Sequence, residues 1–183
     1  MIIFSAPSGS GKSTIINYLL DKGYPLEFSI SATTRNPRGA EQNGVEYYFL
    51  SVEDFKAKIA ADEFVEYEEV YNDRFYGTLK SELERIWAKG KTIVFDVDVV
   101  GGVRLKEIFG DKAQSIFIKL PSLEILEKRL RDRQTDSEEE IQKRIAKANQ
   151  ELKYAEKFDI QIVNDNLQDA YAEAERVLQR FLV

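Results

Sequence analysis

The sequence predicts an α/β fold built on a mostly parallel sheet, and three observations carry that expectation. Short β-rich runs alternate with amphipathic stretches along most of the chain. A glycine-rich turn separates the first apolar run from the first helical one. With 183 residues, 43% apolar and 32% charged, the chain can fill one compact core and carry small insertions.

Taken in order, residues 2–5 read as a strand, followed by the glycine-rich turn and a helix over 12–22. Residues 27–30 form a second short strand. Residues 31–44 are polar and punctuated by Pro37, Gly39 and Gly44, which predicts loop. Residues 47–50 read as strand, and Ser51-Val-Glu-Asp54 has the form of a capping box opening a short helix. Residues 63–71 alternate apolar and acidic side chains, as a half-exposed strand does. Residues 79–88 are helical, with Leu83, Ile86 and Trp87 on one face. Residues 92–98 and 114–120 are buried strands. Ser122 opens a helix bearing Leu123, Leu126 and Leu130. Ser137-Glu-Glu-Glu140 caps a longer helix running to about residue 156. A strand over 159–163 and a helix over 167–182 complete the pattern, with no internal repeat or low-complexity linker. From residue 31 to about 77 the βα rhythm breaks into a stretch rich in Tyr, Glu and loop residues. That stretch is expected to be a small mixed subdomain inserted into the core.

Composition narrows the chemistry. There is no cysteine, so disulfides, thiolate nucleophiles and Cys-based metal sites are excluded. There is no histidine either, which removes the commonest general base and transition-metal ligand. Lys, Arg, carboxylates, hydroxyls, backbone amides and a hard cation remain, a set suited to phosphoryl transfer. A net charge of −6 argues against a nucleic-acid partner, whose phosphates need neutralising. No apolar run approaches the ~20 residues that span a bilayer. The chain enters an apolar strand at once, with no basic leader, and a cytoplasmic location away from membranes is expected.

The turn itself is specific. Ala6, Pro7, Ser8, Gly9, Ser10, Gly11, Lys12, Ser13 and Thr14 lie where strand gives way to helix. Glycines let backbone N–H groups converge on phosphate oxygens, and the helix N-terminus adds its positive end. Lys12 can reach the β- and γ-phosphates, and the Ser13 hydroxyl can coordinate Mg²⁺. Ala6 replaces the usual glycine, a mild change. Asp96 ends the apolar run Ile93-Val-Phe95, the strand end where parallel sheets collect ligand groups.

Beyond the loop, Ser31-Ala-Thr-Thr-Arg-Asn-Pro-Arg38, Asn43-Gly-Val-Glu-Tyr-Tyr-Phe49, Glu63-Phe-Val-Glu66, Phe75-Tyr-Gly-Thr78 and Phe95-Asp-Val-Asp98 follow in order. Together with Lys128-Arg-Leu-Arg-Asp-Arg133, Gln142-Lys-Arg144 and Ile162-Val-Asn164 they resemble the guanylate kinases over nearly the whole chain. The resemblance implies a P-loop NTPase three-layer fold. Its core would take residues 1–30, 79–121 and 157–183, its GMP-binding subdomain 31–78 and its helical lid 122–156. It also implies a phosphotransferase moving the γ-phosphoryl of MgATP to GMP, and to dGMP, in purine nucleotide metabolism, as a monomer or homodimer.

By the same resemblance Arg35 and Arg38 hold the GMP phosphate with Tyr47 and Tyr76. Guanidinium forks suit a dianionic phosphate. Glu66 reads guanine by accepting from N1–H and the 2-amino group, which adenine cannot offer. Ser31, Thr78 and Asp98 complete the base-edge set. Ser13 and Asp96 form the Mg²⁺ shell. Lys12, Arg38, Arg133 and Arg144 serve catalysis, while Arg129 and Asn164 border the adenine. Val100 stands where the family has Gln, so the loop after Asp98 is the main departure. Rival expectations are a kinase for another nucleoside monophosphate and a non-catalytic module that binds phosphorylated peptides.

Overall fold

The computed structural model describes residues 1–132 and 137–182. Arg133 lies outside the described residues. The chain divides into two compact units, Met1–Tyr24 with Phe95–Val183, and Pro25–Val94.

A five-stranded sheet has the order β2-β7-β1-β8-β9, where β1 is Ile2–Ser5, β2 Leu26–Phe28, β7 Thr92–Asp96, β8 Gln114–Lys119 and β9 Ile160–Val163. The β1/β8, β8/β9 and β2/β7 pairs are parallel. Helices α1 (Lys12–Asp21), α4 (Val99–Phe109), α5 (Leu123–Asp132), α6 (Glu138–Glu151) and α7 (Leu167–Leu182) belong to the first unit. Strand β1 is buried along its whole length, as its unbroken apolar run demands of a parallel strand covered on both faces. Leu126 and Leu130 of α5 pack with Ile141 and Ala148 of α6. The predicted capping box is present: Ser137 Oγ accepts from Glu140 N, and the Glu140 carboxylate accepts from Ser137 N. After Glu151 the chain tightens into a 3₁₀ turn over Leu152–Lys157.

The second unit carries a mixed sheet ordered β4-β3-β6-β5, from Tyr48–Phe49, Ala32–Thr33, Arg74–Leu79 and Phe64–Tyr71. Its core is aromatic. Phe55, fully buried on α2 (Val52–Ala60), stacks on Phe64 at 4.3 Å and Phe75 at 5.3 Å. Ser51 caps α2 by accepting from Asp54 N, one half of the predicted capping box.

Four features differ from the sequence expectation. Residues 31–44 are not all loop, because Ala32–Thr33 forms β3 against β6. Strand β6 itself carries little sequence signal, since Gly77 interrupts its apolar pattern and pairing with β3 and β5 on either side stabilises it. Helix α4 starts Val-Val-Gly-Gly-Val, a run of poor helix formers. The Asp98 side chain caps it by accepting from Gly101 N at 2.8 Å, and buried Val99 and Leu105 pack its inner face. Trp87 is 50% exposed, so α3 (Lys80–Trp87) buries Leu83 and Ile86 without it.

Glu27 on β2 accepts from Lys89 and forms ion pairs with Lys91 and with Arg85 of α3. These cations, Lys89 foremost, pull its carboxyl down to about 2. Because the folded value lies below the ordinary 4.5, the stabilisation is complete above that pH and is lost as pH falls towards about 2. Glu27→Gln is therefore expected to be less stable than the parent at neutral pH, with the two urea midpoints converging as pH approaches 2.

Candidate nucleotide site

In the first unit the turn after β1 forms a cradle. Gly11 is the N-cap of α1 and takes φ 89°, left-handed backbone open to glycine at little cost. The first N–H groups of α1 thereby point out of the helix end, without intrahelical acceptors. Ala6 has no positive φ, so alanine there introduces no strain. Lys12 Nζ donates to Val97 O at 3.0 Å and pairs with Asp96, side chains 18% and 21% exposed. Strand β7 thus delivers Asp96 directly beside Lys12, while Ser13 and Ser8 face solvent. Arg144 of α6 donates to Ser8 Oγ at 2.7 Å, which brings that predicted arginine onto the loop.

Asn164 behaves differently from its expectation as an adenine-bordering residue. It is 1% exposed, and its Nδ2 donates to Ser10 O at 2.8 Å. It supports the loop from behind, and Arg129 Nη2 donates to its backbone oxygen at 3.1 Å. A Cβ on Gly11 would collide with Asn164 Nδ2. Gly11→Ala therefore strains φ and displaces the buttress together. It is expected to cost about 1–2 kcal/mol of stability in urea unfolding and to weaken ATP binding measured by calorimetry.

In the second unit, Arg35 lies with its guanidinium over the ring of Tyr47 at 4.8 Å and of Phe49 at 5.6 Å. Tyr47 and Tyr76 meet edge to face at 6.2 Å. Arg38 is exposed on the same loop. Glu66 on β5 lies opposite Thr78 on β6, and Thr78 Oγ1 donates to Glu66 Oε1 at 2.9 Å. Both are buried, 8% and 1% exposed, so the carboxylate of an otherwise acidic strand points inward. Ser31 adjoins β3 and accepts through its backbone oxygen from Tyr48 N. Asp98 falls in the first unit, where its Oδ1 is occupied by the cap of α4.

Two carboxylates were not anticipated from sequence. Glu41 chelates Arg35, an ion pair across six residues of loop that no periodicity signals. Glu151 ends α6, 8% exposed, where burial pushes its carboxyl up, as does the charge of Asp98, while Lys147 and Lys12 pull it down.

A parallel sheet whose first strand runs into a Gly-Lys-Ser cradle, with an aspartate at the end of β7, defines a P-loop nucleotide-binding protein. The guanylate kinase family model matches residues 1–181. Guanylate kinase from Bacteroides fragilis is 58% identical over 182 residues, covering 100% of this chain and 89% of that one. Guanylate kinase from Porphyromonas gingivalis is 55% identical over 183 residues, covering 100% and 97%. The crystal structure of guanylate kinase from Anaplasma phagocytophilum superposes with a TM-score of 0.77 at 29% identity, covering 98% of this chain and 84% of that one. The chain belongs to the guanylate kinase family.

Proposed function

We propose that this chain catalyses transfer of the γ-phosphoryl group of ATP to GMP, giving ADP and GDP. The observation that carries the reading is the buried Glu66–Thr78 pair in a chain that also holds an intact Lys12 cradle. The cradle serves any nucleoside triphosphate, whereas an inward carboxylate selects guanine. It accepts from N1–H and the 2-amino group together, and against adenine it would face the N1 lone pair unpaired.

Backbone amides at the start of α1 and the Lys12 ammonium bind the ATP polyphosphate, while Arg129 and Asn164 keep the loop in shape. Lys12 has three N–H donors. Asp96 and Val97 O engage part of that set and orient the ammonium for phosphate. Arg35, Arg38, Tyr47 and Tyr76 bind the GMP phosphate, and Ser31, Glu66 and Thr78 the base. Arg144, drawn to the loop at Ser8, would neutralise charge spreading over the transferring group, together with Arg133. The acceptor phosphate oxygen is already anionic near neutral pH, so no strong base is required. That suits a chain without histidine.

Mg²⁺ fits this donor set. Ser13 and Asp96 offer hard oxygens, and among the described residues no group of three or more acidic side chains is placed to hold a metal by itself. The ion would therefore be shared between Ser13, Asp96 and phosphate oxygens. When bound it supplies charge neutralisation on the β- and γ-phosphates.

Among the described residues no helix is long and apolar enough to cross a membrane. The test is a coupled ADP-release assay with GMP, dGMP, AMP, UMP and dTMP side by side. Turnover with the guanine nucleotides well above the others is expected. Comparable rates on AMP would replace the reading by a kinase of broader range, and no ATP-dependent turnover would leave a binding module.

A further inference from the structure

The Arg35 guanidinium has five N–H donors arranged as two forks. Its end-on fork is filled: Nη1 donates to Glu41 Oε2 and Nη2 to Glu41 Oε1, both at 2.7 Å. The other Nη1–H goes to Asn36 O at 2.9 Å. Nε–H and the second Nη2–H, which together make the side-on fork, have no acceptor among the described residues. Glu41 Oε2 also accepts from the backbone N–H of Arg38 at 2.8 Å, so one carboxylate fixes both arginines. The rings of Tyr47 and Phe49 hold the guanidinium plane, and its side chain is 7% exposed. Arg35 beside it, first, and Arg38 hold the Glu41 carboxyl down at about 2, so it is ionised throughout the neutral range.

We infer that Glu41 is a positioning residue for the phosphate of the acceptor nucleotide. By occupying the end-on fork of Arg35 and tethering Arg38, it leaves the side-on fork as a bidentate receptor for a phosphate dianion. The arginine is thereby ordered before the ligand arrives, which lowers the entropy lost on binding. The inference rests on the reading that Arg35 and Arg38 receive the GMP phosphate. It adds the residue that orients them, and it opposes the simpler view that Glu41 competes with phosphate for Arg35.

The two views differ in sign. Glu41→Gln keeps the size of the side chain but turns one acceptor into a donor facing Arg35. We would measure binding of GMP and of guanosine to the parent and to Glu41→Gln by calorimetry, with KM and kcat for GMP and the urea midpoint of each. GMP Kd and KM are expected to rise about 10-fold or more, a lost charge-assisted pair. Guanosine binding, the KM for ATP and the urea midpoint should stay near the parent. Glu41→Asp, which keeps the charge on a shorter stem, should fall between. Unchanged or tighter GMP binding in Glu41→Gln would overturn the inference, as would equal loss of GMP and guanosine. Failure of the parent itself to phosphorylate GMP would instead defeat the functional reading, independently of Glu41.

Discussion

Lys12→Ala is expected to leave the protein folded and to lower turnover with ATP and GMP by roughly 10³-fold, the scale of losing a preorganised charge at the transferring group. Lys12 lies 18% exposed beside Asp96 at the mouth of the phosphate loop. The loss should fall mainly on kcat, because developing charge on the β–γ bridge is what the ammonium meets at the transition state. Circular dichroism and the urea midpoint guard against misfolding. Turnover within a few-fold of the parent would remove Lys12 from the catalytic role.

The second large effect concerns choice of base. Glu66→Gln should reduce the ratio of kcat/KM for GMP over AMP by roughly 10²-fold, chiefly by losing GMP. The amide keeps one acceptor for the guanine edge, but its NH₂ then opposes a donor. Thr78 Oγ1, which now donates to Glu66 Oε1, can still reach the amide oxygen, so β5 and β6 should remain paired. Steady-state rates on both nucleotides decide the matter: an unchanged ratio would mean that Glu66 does not read the base.

These predictions stand on residues of unequal legibility. The phosphate cradle is local: a strand end, a left-handed Gly11 and a helix start lie within a few residues, so the chain order is nearly the geometry. The same holds for the Ser137–Glu140 capping box, which is complete within four residues. Glu66 is the contrary case. In an alternating acidic strand, composition would leave it facing solvent, and only its place in an ordered set of family motifs marks it. Its burial against Thr78 follows from the β5/β6 register, which is a property of two strands.

Helix α4 and strand β6 escaped sequence reading for one reason. Both carry residues unsuited to their conformation, Gly101 and Gly102 in the helix and Gly77 in the strand, and both gain partners distant in sequence: Phe117 and Phe158 cluster with Val99 of α4, and Ala32 of β3 pairs with Gly77. Asn164 is similar. Its amide serves Ser10, 154 residues away, a pairing that no local pattern encodes.

By itself, then, the sequence determined the βα alternation, the phosphate loop, the absence of cysteine and histidine chemistry, and the identity of the residues available to meet two phosphates and a purine. These are short-range matters, set by periodicity, glycine placement and composition. Tertiary structure alone decided which carboxylates turn inward, that Asn164 supports the cradle from behind, and that Glu41 fills one fork of Arg35. Hydrogen bonds and ion pairs between residues far apart in the chain, or on an irregular loop, acquire their geometry only when the backbone around them has closed.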